Sequence, residues 1–239
     1  MADTGNDAET GNDAATANGN STANDGAAHT TRDIRAAIAA ERRELADLLE
    51  GLSPEQWDAP SLCAGWRVRE VAAHMSLGFR HPLPRVLWEL AKAGGRLHRM
   101  TDRLARADAA AFTPGDLAGF LRDHAEHPWT PPVGGFPSAL GHDVVHGLDI
   151  TVALGIPRRV PEERLRILLD NVTPKSAKFF GADLTGVELR ADHSDNIDWA
   201  LGSGAPLSGS AQDLLLVAFG RGLPPGRLRG EAAERFTRA

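Results

Sequence analysis

With a single cysteine in 239 residues, the chain can form no intramolecular disulfide and no cysteine-rich zinc cluster. It also lacks any uninterrupted apolar run near the ~20 residues that a membrane-spanning helix requires. The amino terminus has neither the basic start nor the apolar stretch of a secretory signal, so a cytoplasmic protein is expected. Positive charge is scarce too: 26 Lys and Arg face 32 Asp and Glu, for a formal net charge of −6. Residues 1–28 hold Asp3, Asp7, Glu9, Asp13 and Asp25 with no Lys or Arg, which leaves the remainder near neutrality. Neither part carries the basic field that nucleic-acid partners draw on, and no membrane partner is expected either.

Residues 1–28 also contain no Leu, Ile, Val or Phe, and they include the near-repeat TGNDAETGNDA. Such a segment has nothing to bury and reads as a disordered tail without chemistry of its own. Apolar periodicity begins just beyond it. Ile34, Ile38, Leu45, Leu48 and Leu52 recur at helical spacing around a stop at Gly51, and Ser53-Pro54-Glu55-Gln56 has the pattern of a capping box. Further helices are expected from Val68 to about Phe79, over about 85–108, over 114–126 behind Pro114, and over 137–153. Helices joined by short polar breaks, with no strand pattern between them, define an up-and-down bundle over 29–157.

The pattern changes after Gly155-Ile156-Pro157. A helix from Pro161 would carry Leu165, Leu168, Val172 and Phe179 on one face. Alternation at Val187, Leu189 and Ala191, and again at Ile197, Trp199 and Leu201, predicts a hairpin turning at 192–196. Ser210 then caps a helix bearing Leu214, Leu215 and Val217. Residues 158–239 are therefore expected to form a small α+β lobe, making the chain mainly α.

Three histidines stand out. His142 and His146 lie four apart in GHDVVHGLD, so one helix face presents both imidazoles a turn apart, as a divalent-metal site needs. The spacing alone is a weak signal, and by itself it reads more readily as two partly exposed surface histidines. His74 sits on the apolar face that holds Val71 and Leu77, where an imidazole without a partner is costly. Sharing a metal ion with His142 and His146 would satisfy it, and so would a hydrogen bond to a buried carboxylate. Asp149 and Asp143 are placed to accept the second ring N–H of a ligand histidine, with a surface salt bridge as the alternative for each. His29, His81, His98, His124, His127 and His193 stand in polar, charged or breaker-rich contexts and read as dispensable. Cys63 has no basic or imidazole neighbour in sequence, so a small buried side chain in a turn is favoured over a nucleophile.

Two stretches, LEGLSPEQWDAPSLCAGWRVREVAAHM (49–75) and GHDVVHGLDITVALGIP (141–157), resemble the mycothiol-dependent maleylpyruvate isomerase family, a branch of the DinB-like (YfiT-like) metal-binding bundles. SGSAQDLLLVAFGRG (208–222) is similar to the lobe that follows the bundle there. The resemblance covers about residues 30–239. It implies one divalent ion, usually zinc, held at His74 and His146. The family's third ligand is typically a glutamate at the position of His142, and the present histidine gives the three-imidazole set familiar in the wider DinB-like group. It further implies a small thiol, mycothiol, as cosubstrate and a small electrophilic acid as substrate. Arg221, which matches an arginine of the family's lobe, and Arg80, just past the His74 helix, are the candidates for holding a substrate carboxylate. The leading expectation is thus a metal- and thiol-dependent isomerase or transferase. A non-catalytic metal-binding bundle acting as a sensor or stress-response protein is the alternative from another class, and a metal-assisted hydrolase is a third.

Overall fold

The structure, a computed structural model, describes residues 29–192, 194 and 196–238. The tail expected over residues 1–28, His193 and part of the hairpin turn lie outside the described residues. Helix α1 (Thr31–Glu50) starts where Thr30 and Asp33 cap each other's backbone N–H groups. Ser53 and Gln56 do the same for the short α2 (Pro54–Asp58). Helices α3 (Val68–Arg80), α4 (Leu83–Lys92), α5 (Leu97–Ala111), α6 (Pro114–Asp123) and α7 (Gly135–Ala153) complete the bundle. It forms where α1 packs on α6 and α7 while α3 packs on α5, α6 and α7.

Helix α7 has no solvent-facing stripe. Leu140, Val144, Val145, Leu148, Ile150 and Val152 are all buried, and the arc they leave holds His142, His146 and the buried Asp149. A helix with so little surface to solvate belongs in the interior. Here α1 and α3 cover one side, while α8 (Glu162–Asn171) and α10 (Ala211–Ala218) cover the other. Ile34 and Ile38 of α1 consequently share one core with Leu165 and Leu168 of α8 and Leu214 and Leu215 of α10. Between α8 and α10 lie α9 (Pro174–Phe179) and a sheet of β1 (Val187–Ala191), β2 (Ala200–Gly202) and β3 (Ala205–Gly209), in the order β2-β1-β3. β1 pairs antiparallel with β2, Leu189 opposite Leu201, and parallel with β3, Leu189 opposite Leu207. The expected class, a mainly α bundle followed by a small α+β lobe, is the one observed.

Three elements depart from the sequence reading. The helix expected over 85–108 is two helices, because Gly94 and Gly95 both take positive φ (66° and 75°), a region open to glycine. The helix expected to run from Pro161 through Phe179 stops at Asn171. Pro174 cannot donate to it, and Thr173 caps a new helix instead. Phe179, assigned to the buried face, is 78% exposed. Strand β3 departs as well, since Ala-Pro-Leu-Ser-Gly has little strand character. Pro206 is tolerated there because β3 is an outer strand of the sheet.

Two helical glycines report the packing around α7. A Cβ on Gly147 would come within 2.6 Å of Leu45 Cδ2 and 3.1 Å of Arg158 Nη1, whereas one on Gly119 of α6 would meet nothing within 4 Å. Gly147→Ala should therefore lower stability by about 1–3 kcal/mol through overpacking. Gly119→Ala should raise it by up to about 1 kcal/mol through helix propensity. Urea unfolding midpoints at constant slope measure both, and equal midpoints for the two variants would show that α1 and α7 do not approach this closely.

Candidate metal centre

The packing of α3 against α7 sets His74 opposite His142 and His146. The ring centroids of His74 lie 5.0 Å from His142 and 4.9 Å from His146, and those of His142 and His146 lie 4.8 Å apart. One nitrogen from each ring falls within 4.8 Å of the other two. His74 Nε2 and His142 Nε2 are 3.3 Å apart. Two ligands about 2.0–2.1 Å from a tetrahedral ion are separated by about 3.3–3.4 Å, so this edge already has the length of a coordination edge. Trp66 closes one side, its ring 5.0 Å from that of His74, and Trp129 another, 5.3 Å from that of His142. Trp129 reaches this position because residue 78 is glycine: a Cβ there would sit 2.0 Å from the indole.

Each histidine of α7 leans on a fully buried carboxylate. His142 Nδ1 is 2.9 Å from Asp143 Oδ1, and His146 Nδ1 is 2.9 Å from Asp149 Oδ2. Carboxylates accept, so Nδ1 carries the proton in both rings and each Nε2 is left with a lone pair. This is the carboxylate–histidine arrangement that fixes tautomer and ring orientation in metal sites. Burial pushes the pKa of His146 down to about 4, even though the Asp149 hydrogen bond acts to raise it. Burial, with His146, His142 and Arg221 adding to it, holds His74 well below the ordinary imidazole range. Both rings are thus neutral at pH 7, as ligation requires. Among the described residues His74 Nδ1 has no hydrogen-bond partner, although it is buried. Its Nε2 faces His142 Nε2. The residues fit a divalent ion.

Asp149 has a wider role than the spacing implied. Arg221 donates to it twice, from Nε to Oδ1 (3.0 Å) and from Nη2 to Oδ2 (2.8 Å), and Cys63 Sγ donates to Oδ2 at 2.9 Å. Burial alone would raise the pKa of Asp149. The hydrogen bonds from His146 and Arg221 outweigh that effect and hold it well below the usual carboxylate range. The Arg221 guanidinium is thus turned onto Asp149, and its Nη1 donates to the carbonyl of Phe219 at 2.7 Å. Cys63 has no basic or imidazole neighbour in sequence, yet in the fold it has Asp149, Arg221 and His146 around it, its Sγ 3.7 Å from His146 Nδ1. No signal near position 63 could have revealed partners more than eighty residues away. Burial and the Asp149 charge push its thiol far above the ordinary range, so it is a hydrogen-bond donor and not a thiolate. Cys63, His146 and Asp149 form a second geometrically possible ligand group, but it would have to break all of these bonds.

Arg80, the other arginine expected to meet substrate, is committed elsewhere. It donates to Asp108 and to Ser76 Oγ, and its guanidinium stacks on Phe112 and Phe120. His81 shares Asp108 at 3.0 Å and is buried, not left in a polar break as its neighbours suggest. Arg80 carries no marker of this pairing in sequence, because Asp108 lies on α5. His124 and His127 gather around Phe79, outside the three-histidine cluster.

Residues 38–128 match the family model of the mycothiol maleylpyruvate isomerase N-terminal domain, a stretch that contains His74 and ends before α7. The crystal structure of the mycothiol-dependent maleylpyruvate isomerase superposes with a TM-score of 0.54 over 86% of this chain and 94% of that one, at 15% identity. An alanine mutant of that isomerase superposes at 0.52 with the same coverage and 13% identity. No curated protein sequence matches the chain. At such identities the structural likeness establishes the fold, a DinB-like helical bundle with its C-terminal lobe. The family read from the sequence is also the one that both comparisons return, the mycothiol-dependent maleylpyruvate isomerases.

The environment of Cys63 is directly testable, because the chain has no other thiol. Folded protein at pH 8 should react with a disulfide reagent or an alkylator at least about tenfold more slowly than the same chain in guanidinium, since only the thiolate is nucleophilic. Equal rates would show that Cys63 is not held neutral by burial and Asp149.

Proposed function

We propose that His74, His142 and His146 hold one divalent ion, zinc by the character of its three nitrogen ligands, and that the site serves a thiol-dependent isomerisation or transfer on a small electrophilic acid. The observation that carries this reading is the convergence of one ring nitrogen from each of three histidines, with His74 Nε2 and His142 Nε2 3.3 Å apart. When bound, such an ion acts as a Lewis acid and lowers the pKa of a thiol brought to its open position. The family match and the family's name supply the thiol, mycothiol.

The chain's own residues have definite parts. Asp143 and Asp149 keep a proton on Nδ1 of His142 and His146, so that both Nε2 lone pairs face inward. Trp66 and Trp129 limit the access of water to the three rings. With histidine at 142, all three ligands are neutral, and the site keeps more of the ion's positive charge for an anionic cosubstrate than a glutamate would leave. Neither buried aspartate has a free edge to act as a base on water, which weighs against hydrolysis. Arg221, 18% exposed, spends Nε–H and one Nη2–H on Asp149, so any hold on a substrate carboxylate falls to its remaining N–H groups.

Removing one of three ligands should cost most of the affinity. Elemental analysis of purified protein is therefore expected to show comparably severe metal loss in His74→Ala and His146→Ala and none in His124→Ala, while His142→Glu retains metal. Assayed with a panel of thiols, the loaded full chain should turn over an electrophilic acid such as maleylpyruvate only when mycothiol or a close analogue is present. Full metal occupancy in His74→Ala would place the ion elsewhere. Full occupancy without activity toward any thiol would favour a non-catalytic bundle.

A further inference from the structure

Among the described residues Arg42 is one of the largest side chains with no solvent exposure, and nothing in its local sequence distinguishes it from Arg43, which pairs with Glu126 at the surface. From α1 it enters the bundle and meets Asp143, Nε to Oδ2 at 2.7 Å, both side chains fully buried. Its Nη1 donates to the carbonyls of His124 (3.2 Å), Ala125 (3.4 Å) and His127 (3.0 Å), just past the end of α6, and its guanidinium lies 5.1 Å from the Phe79 ring centroid. The other oxygen of Asp143 accepts from His142 Nδ1 at 2.9 Å. One carboxylate thus joins a guanidinium anchored on two helices to the imidazole that replaces the family's usual glutamate.

We infer that Arg42 is a positioning residue for His142: through Asp143 it fixes the ring's Nδ1–H tautomer and aims Nε2 at His74 and His146. The inference rests on the proposed ligand set for its consequence, though its geometry does not. A buried carboxylate adjacent in sequence to the histidine it orients could rotate away. Asp143 is denied that freedom because Arg42 holds Oδ2, and Arg42 is itself held by three carbonyls that cannot follow it. The arrangement parallels Arg221–Asp149–His146 on the same helix, so each α7 histidine has its own arginine behind its carboxylate. The two differ in exposure. Arg221 is 18% exposed, whereas Arg42, reaching Asp143 from α1, has no exposure at all. Arg42 therefore has no route to a substrate and acts only through the ring.

Loss of an outer-shell partner typically weakens metal binding 10–100-fold. The test compares Arg42→Met with Arg164→Met, which removes another buried arginine whose carboxylate partners, Glu41 and Glu44, do not touch the histidines. Two readouts are taken on the full chain: the tautomer of His142 in metal-free protein by nitrogen-15 NMR, and the dissociation constant for cobalt(II). We expect Arg42→Met to lose the pure Nδ1–H tautomer and to bind cobalt 10–100-fold more weakly, and Arg164→Met to change neither although it too lowers the thermal midpoint. If Arg42→Met keeps both the tautomer and the wild-type cobalt affinity, its role is structural and the inference is overturned. Should Arg42→Met fail to fold, Asp143→Asn is measured in the same two ways with the same two outcomes. Wild-type protein that binds no cobalt would sink the three-histidine reading alone, and the tautomer would still decide for or against Arg42.

Discussion

The hydrogen bonds from His142 to Asp143 and from His146 to Asp149 are the interactions on which the proposed centre depends. A neutral imidazole has one donor and one acceptor nitrogen, and without a partner to choose between them each ring could face the other two with either. Two acceptor-only groups on the same helix remove the choice. Both carboxylates are buried, and a buried carboxylate is costly unless it is paired and hydrogen-bonded. Asp149 meets that condition with a bidentate guanidinium, an imidazole and a thiol, which is why Arg221 and Cys63 are drawn into the site.

The same constraint explains the fold around α7. A helix that carries two buried aspartates can be central only if cations and donors reach it from several directions. It receives them from α1 and from the segment after α10, while apolar side chains fill the rest of its surface. Gly147 permits the close approach of Leu45 from α1, and Gly78 makes room for Trp129 beside the rings. The C-terminal lobe thus supplies Arg221 to the site as well as covering α7.

Much of this was legible in the sequence. The four-residue spacing of His142 and His146, the apolar face around His74 and the positions of Asp143 and Asp149 are local patterns, and local patterns survive folding when a helix forms. The parts that were not legible depend on pairs distant in sequence. Cys63 meets Asp149, Arg80 meets Asp108 and Arg42 meets Asp143, and in each case neither residue's surroundings mark it. Helix breaks stand between these cases. Gly94-Gly95 and Pro174 are visible punctuation, but apolar periodicity continues across both and masks them. Strand β3 owes its existence to β1 beside it rather than to its own residues.

The central claim is that the ion binds nitrogen from three histidines, and X-ray absorption at the zinc edge of the metal-loaded full chain tests it most directly. The account predicts nitrogen scatterers at about 2.0–2.1 Å with the outer-shell pattern of imidazole rings, and no sulfur. A sulfur shell at about 2.3 Å would place the ion between Cys63, His146 and Asp149 and contradict it.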